Sequence, residues 1–133
     1  MAPPSMEYAA KKVEQSGESN VMLTERGTTF GHGDLVVDMR GLQQMRDLGY
    51  PVCFDATHSV QRPSAGTSTS GGDRIFVPAL SRAATAVGID ALFAEVHHRP
   101  ETALSDGPNM IPLCELREFL TQILAVDGAV RRR

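Results

Sequence analysis

Four polar or ionisable residues follow short apolar segments of the chain, and their types could carry chemistry. Arg26, His58 and Glu95 stand at or just past the ends of three such segments, and Asp106 lies in the loop after the third. Core-forming strands have no packing reason to end in arginine, histidine or glutamate. If the segments are neighbouring parallel strands, their carboxyl ends share one edge, where active sites of α/β folds are built. The pattern therefore predicts that the four side chains converge on one site.

The side chains of His58, Glu95 and Asp106 together predict a divalent-metal site. One imidazole and two carboxylates suit a first-row ion such as Mn, Fe or Zn. A single histidine at a strand end is more typical of a structural residue, so the prediction depends on the three residues as a set. The neighbouring His97 and His98 are equally typical of solvated side chains, and the set therefore lacks a further ligand.

Arg26 stands before a glycine-rich turn that could bind phosphate. A guanidinium and the free N–H groups of residues 27–31 match the oxygens of a phosphate group. The alternative, a helix-capping or salt-bridging arginine, stays open. The fingerprints of P-loop and dinucleotide-binding proteins are absent, as is the Gly-x-Ser-x-Gly motif of serine hydrolases. Phosphate binding through the arginine and this turn is the reading that we favour.

The elements that must position these residues alternate along the chain. A helix that begins at Met6, with Ser5 as its cap, precedes three repeats of strand, loop and helix. The predicted strands are residues 20–24, 51–57 and 91–96, and the predicted helices are residues 35–48, residues 74–87 and a segment beginning at Pro112. Short apolar strands in this order predict a parallel sheet with helices outside, either a barrel or a doubly wound sheet. A (β/α)8 barrel needs about 250 residues, so three strands and four helices would form half of one.

Composition restricts the class of protein. The chain has 133 residues, 41% of them hydrophobic, and a net charge of −3, which predicts one globular domain without a basic surface for nucleic acid. No apolar stretch approaches the roughly 18 residues of a membrane span, and no leader is evident. We therefore expect a cytoplasmic protein. Cys53 and Cys114 are too few for a disulfide framework and are expected to be buried thiols.

Three longer motifs resemble those of the 3-deoxy-D-manno-octulosonate 8-phosphate synthase family. They run from Thr24 to Met39, from Phe54 to Gln61 and from Ser105 to Met110, in the order and at the intervals of that family. The likeness covers nearly the whole chain. The resemblance implies that residues 1–133 form a partial (β/α)8 barrel, its C-terminal half, with the first half missing.

The resemblance implies a transferase of lipopolysaccharide biosynthesis. The family condenses phosphoenolpyruvate with D-arabinose 5-phosphate, which gives 3-deoxy-D-manno-octulosonate 8-phosphate and inorganic phosphate, and its members are typically homo-oligomers. Further substrate-binding residues would belong to the missing half, so this chain alone is expected to be inactive. Two alternatives stay open: a non-catalytic remnant that binds phosphate ligands, and a sister synthase that uses erythrose 4-phosphate or a sialic-acid precursor.

The resemblance also implies roles for residues that bind substrate. Arg26 matches the arginine that holds the phosphate of phosphoenolpyruvate, and Gly27, Phe30 and Gln61 belong to the same substrate-binding motifs. The segment rich in serine, threonine and glycine from residue 62 to 73 would be a lid that orders when the sugar phosphate binds.

The catalytic and metal-binding residues implied by the resemblance are those that the pattern indicates. His58 would lie beside the reacting carbons and Asp106 would be the second catalytic residue. In metal-dependent members His58, Glu95 and Asp106 join a cysteine of the first strand, where metal-independent members carry asparagine. The loop of residues 105–109 resembles the metal-dependent relatives more closely.

Overall fold

A computed structural model of the chain describes residues 1–29, 34–63 and 71–131. The helices are α1 (Met6–Gln15), α2 (Met39–Asp47), α3 (Val77–Val87) and α4 (Leu116–Arg131). The strands are β1 (Leu23–Glu25), β2 (Thr28–Thr29), β3 (Leu35–Val36), β4 (Val52–Asp55), β5 (Gln61–Arg62), β6 (Gly71–Gly72), β7 (Ala91–Phe93), β8 (Val96–His97) and β9 (Ile111–Pro112). Phe30 and the greater part of the predicted 62–73 loop lie outside the described residues.

The three longest strands form one parallel sheet in the order β1, β4, β7. Leu23 pairs with Val52, and Cys53 pairs with Ala91, so the strands run side by side in one direction. Each strand of this sheet is followed by a helix, α2, α3 or α4 in turn. The predicted parallel α/β arrangement is therefore confirmed, and the carboxyl ends of the three strands share one edge.

The central strand β4 is buried along its whole length. Phe54 is fully buried in its middle, and burying a side chain of that size contributes about 1.5–3 kcal/mol of stability. The helices supply further buried side chains of the core, namely Leu42 and Met45 from α2, Val77 and Ala84 from α3, and Phe119 and Ile123 from α4. A strand buried on both faces is typical of a parallel sheet that helices cover.

The prediction of a helix from residue 35 to 48 is wrong at its start. Leu35 and Val36 form β3, which pairs antiparallel with β2. The helix α2 begins at Met39 because Asp38 caps it: the Asp38 side chain accepts a hydrogen bond from the backbone N–H of Arg40 at 3.0 Å. An N-cap residue has extended backbone, so the residues before it could join a strand.

The predicted third strand is interrupted. β7 ends at Phe93, and β8 begins at Val96 and pairs in parallel with β9. The break leaves Glu95 between the two strands, where its backbone makes hydrogen bonds with Thr57 and Ile111. The last helix begins at Leu116 rather than at Pro112, which belongs to β9.

Two smaller predictions are also wrong. Ser5 makes no side-chain hydrogen bond that would cap α1, since a 3-10 turn of residues 3–5 leads directly into that helix. Cys53 is buried, as expected, and burial raises the pKa of its thiol, but Cys114 is exposed in the turn before α4. None of the helices in the described residues combines the length and the apolar character that crossing a bilayer requires.

Candidate metal and phosphate site

The parallel sheet brings the predicted metal-binding side chains together. His58 lies three residues after β4, Glu95 two residues after β7, and Asp106 in the loop between β8 and β9. One ligand atom from each lies within 4.8 Å of those of the other two. All three residues are half-buried, and theirs is the one group of this kind found in residues 1–29, 34–63 and 71–131. The predicted convergence of these three side chains is confirmed.

His58 is held by Asp55, the last residue of β4. Its Nδ1 atom lies 2.7 Å from Oδ2 of Asp55, and its backbone N–H donates to Oδ1 of the same carboxylate at 3.0 Å. An ionised carboxylate can only accept, so the contact requires a proton on Nδ1, and in the neutral ring Nε2 is then the acceptor. The ring also stacks on Phe93, with centroids 5.9 Å apart. The imidazole therefore points its acceptor nitrogen in a fixed direction.

Glu95 is fixed through its backbone and leaves its carboxylate uncompensated. Its N–H donates to the hydroxyl of Thr57 at 3.2 Å, and its carbonyl accepts from the N–H of Ile111 at 3.0 Å. The carboxylate oxygen Oε2 is buried and has no hydrogen-bond partner among the described residues. Oε1 lies 3.7 Å from Nε2 of His58, so the imidazole nitrogen and the carboxylate face the same space.

This arrangement fits a cation. A buried carboxylate oxygen without a partner costs free energy unless a positive charge satisfies it. The histidine lone pair and the two carboxylates provide nitrogen and oxygen donors, which are the ligand types of zinc and other first-row ions in proteins. A metal-binding histidine commonly donates its other ring N–H to a carboxylate, as His58 does to Asp55. The three side chains could therefore hold a divalent ion, and Asp55 provides the supporting contact of His58.

Asp106 occupies a strained position in its loop. Its φ angle is +53°, in the left-handed region that few residues other than glycine adopt. The turn is closed by its own carbonyl, which accepts from the N–H of Asn109 at 2.8 Å. Strained backbone of this kind clusters at functional sites because the surrounding structure must hold it in place.

Gln61 connects the group of His58, Glu95 and Asp106 to Arg26. Its Nε2 atom donates to Oδ1 of Asp106 at 2.5 Å, and its Oε1 accepts from Nη2 of Arg26 at 2.8 Å. Arg26 directly follows β1 and its side chain is exposed. The N–H of Gly27, which the sequence pattern offered to a phosphate, instead donates to the Glu25 carboxylate at 2.6 Å. Phe30, which the resemblance assigns to substrate binding, lies outside the described residues.

Sequence reasoning missed Asp55 and Phe93. Both belong to apolar strands, and the usable signal was an aspartate three positions before a candidate ligand histidine. The rings of His97 and His98 contact each other at a tilt, with centroids 4.5 Å apart, and Nδ1 of His97 accepts from the N–H of Arg99. They do not join the metal-binding group.

The chain matches a family model and many curated proteins. The model of the DAHP synthetase I family matches residues 1–131. The chain is 59% identical over 130 residues to a 2-dehydro-3-deoxyphosphooctonate aldolase of Cyanothece sp., covering 98% of this chain and 48% of that protein. Proteins of the same name from Trichlorobacter lovleyi and a Synechococcus species are 55% and 56% identical, with 98% of this chain and 48% and 46% of theirs covered. The chain thus spans about half the length of the curated relatives it matches.

Proposed function

The chain belongs to the DAHP synthetase I family, and from this premise we propose that it carries half of the active site of a phosphoenolpyruvate-condensing synthase. The proposed reaction joins phosphoenolpyruvate to D-arabinose 5-phosphate and water, giving 3-deoxy-D-manno-octulosonate 8-phosphate and inorganic phosphate. The relatives named 2-dehydro-3-deoxyphosphooctonate aldolase support this assignment. The observation that carries it is the group of His58, Glu95 and Asp106 at one sheet edge, with Arg26 joined to it through Gln61.

We propose that the sheet is part of a (β/α)8 barrel. In the described residues β4 has strand partners on both sides, whereas β1 and β7 each have one in the sheet. Partnerless strand edges favour further pairing, and a closed barrel would give both outer strands a second neighbour. The fragment would then be expected to need the complementary half for activity. The family resemblance also supports assembly as a homo-oligomer.

Arg26 would bind the phosphate of phosphoenolpyruvate. Its guanidinium presents several N–H donors in a planar fork that matches phosphate oxygens. One donor is used by Gln61, which fixes the plane of the guanidinium while the exposed face stays open. A phosphate held in this way places its substrate beside the metal-binding group, and orientation of this kind lowers the entropic part of the barrier.

His58, Glu95 and Asp106 would hold the divalent ion. The bound ion would supply Lewis acidity toward the sugar aldehyde and toward water. Asp55 keeps the Nε2 atom of His58 directed at the site, and Gln61 does the same for the carboxylate of Asp106. The side chains of His58 and Asp106 would orient the water that adds to the phosphate-bearing carbon, while the enol carbon attacks the aldehyde.

The proposal can be tested with a chimera. The half of the Cyanothece relative that this chain does not cover would be joined to it, and inorganic phosphate release from phosphoenolpyruvate would be measured with and without arabinose 5-phosphate. We expect release that depends on the sugar and that His58→Ala and Arg26→Met each abolish. Release with erythrose 4-phosphate instead would indicate a sister synthase. A folded chimera that releases no phosphate with either sugar would favour the non-catalytic remnant.

A further inference from the structure

We propose that Gln61 is a positioning residue that couples the phosphate-binding Arg26 to the metal-binding carboxylate of Asp106. The inference rests on the proposed function and extends it. It starts from two contacts made by one amide: Oε1 accepts from Nη2 of Arg26 at 2.8 Å, and Nε2 donates to Oδ1 of Asp106 at 2.5 Å. The amide thus separates a cation and an anion that belong to two different ligand sites.

The chemistry of the two partners fixes the orientation of the amide. A guanidinium can only donate and an ionised carboxylate can only accept, so a reversed amide would lose both bonds. Each bond also has a charged partner, and charge-assisted hydrogen bonds are the stronger class. Because hydrogen bonds in a chain polarise one another, the Arg26 contact strengthens the bond that the amide donates to Asp106.

Gln61 is placed to transmit a change between distant parts of the chain. It lies 35 residues after Arg26 and 45 residues before Asp106. Its own backbone is held in β5, opposite Gly72 of β6. The N–H of Asp73 donates to the carbonyl of Val60 at 3.1 Å, next to this pair. A residue anchored in this way can hold both partners in one geometry.

Asp106 depends on this contact more than an ordinary surface carboxylate would. Its left-handed backbone is already strained, and among the described residues Gln61 is its one side-chain hydrogen-bond partner. The bond engages Oδ1, which leaves Oδ2 for a metal ion. Loss of the amide would release the carboxylate to other rotamers, and second-layer contacts of this kind commonly change metal affinity.

The chain contains the same chemical arrangement away from the site. Gln122 accepts from Nη1 of Arg82 at 2.8 Å and donates to Oε1 of Glu118 at 2.9 Å. The three residues lie on α3 and α4 and include none of the metal-binding group. Gln122→Met is therefore a matched control for Gln61→Met: each removes an amide that bridges an arginine and a carboxylate.

The test is a double-mutant cycle read by metal binding. The 133-residue chain would be titrated with Co²⁺, followed by visible absorption, as wild type, Gln61→Met, Arg26→Lys and the double variant. Arg26→Lys removes the planar guanidinium but keeps the positive charge. The long-range repulsion between residue 26 and the metal ion is therefore similar in the variant and in wild type. Circular dichroism and thermal unfolding would establish that each variant is folded.

We expect Gln61→Met to weaken Co²⁺ binding about tenfold, by the usual size of second-layer effects. Arg26→Lys should weaken it about threefold in the wild-type background and leave it unchanged in the Gln61→Met background, because the coupling runs through the amide. Gln122→Met should bind Co²⁺ like wild type. A purely structural role for Gln61 would not make the effect of Arg26→Lys depend on residue 61.

Two results would overturn the inference. If Gln61→Met binds Co²⁺ as wild type does, or if Arg26→Lys has the same effect in both backgrounds, no coupling runs through the amide, while the metal site stands. If instead the wild-type chain binds no Co²⁺, or His58→Ala binds it equally well, the metal-binding part of the proposed function fails and the inference falls with it.

Discussion

The carboxylate of Asp55 holds His58 by two hydrogen bonds, one from ring atom Nδ1 to Oδ2 at 2.7 Å and one from the backbone N–H to Oδ1 at 3.0 Å. The first fixes the tautomer of the ring and the second fixes the start of the turn that carries it. Because Asp55 is the last residue of β4, the end of this strand sets the direction in which the Nε2 atom of His58 points.

Replacing Asp55 by asparagine should therefore weaken metal binding without unfolding the chain. Asparagine offers one acceptor oxygen where aspartate offers two, so one of the two bonds to His58 is lost. We expect Co²⁺ affinity to fall about 10- to 100-fold, the usual range for a supporting carboxylate. Asp90→Asn is the control, because Asp90 accepts from the N–H of Val52 at the other end of β4. Equal Co²⁺ affinity in Asp55→Asn and wild type would contradict the assigned role.

Glu95→Gln should stabilise the metal-free chain while removing metal binding. The buried oxygen Oε2 has no partner in the part of the chain that the structure describes, and a neutral amide is cheaper to bury than a carboxylate. We expect the free energy of unfolding without metal to rise by up to about 1 kcal/mol. Denaturant unfolding with chelator and with added Co²⁺ measures both effects. If the metal-free variant is less stable than wild type, the Glu95 carboxylate already has a stabilising partner without metal, and this explanation is wrong.

Gly72→Ala should destabilise the chain and Gly128→Ala should not. A Cβ atom on Gly72 would lie 1.3 Å from Oδ1 of the fully buried Asn109, whereas one on Gly128 meets nothing within 4 Å. We expect a loss of about 1–3 kcal/mol at residue 72 from overpacking. In helix α4 the same change should gain about 0.5–1 kcal/mol.

Adding Asn109→Ala to Gly72→Ala should recover part of the lost stability, because it removes the atoms with which the new Cβ collides. Urea unfolding of the single and double variants measures the recovery. If the double variant loses as much stability as the two single variants together, or more, the collision is not the cause of the loss.

The N-cap of α2 should make stability depend on pH. Hydrogen bonding from Arg40 lowers the pKa of Asp38 below its ordinary value of 3.8. A lowered pKa in the folded state means that the contribution is fully present above the unfolded pKa and is lost as pH falls through the folded pKa. Asp38→Asn should therefore melt below wild type at pH 7, and the difference should shrink below about pH 4. If the difference in melting temperature stays constant with pH, the effect comes from the capping hydrogen bond and not from the charge of Asp38.

The sequence was sufficient to predict the parallel sheet and the convergence of His58, Glu95 and Asp106. Both follow from local pattern, since alternating strands and helices place every strand end on one edge. The break after β7 and the pairing of β8 with β9 could not be predicted, because they depend on contacts between residues 96 and 111. A continuous apolar run gives no sign of where a strand leaves its sheet.

The contacts of Gln61 with Arg26 and Asp106 could not be predicted for a similar reason. The resemblance predicted that this residue binds substrate, but its partners Arg26 and Asp106 are 35 and 45 residues away. A sequence pattern shows that an amide is present and not which charged groups it joins. The pairing of β2 with β3 was missed because Leu35 fits the helical spacing of α2, while the cap at Asp38 decides where that helix begins.

The most direct test of the metal-binding site is anomalous diffraction from crystals of this chain grown with Co²⁺, recorded on both sides of the cobalt absorption edge. We predict an anomalous peak within coordination distance of Nε2 of His58 and of carboxylate oxygens of Glu95 and Asp106. A peak at His97 and His98 instead, or none at the edge of the sheet, would contradict the account.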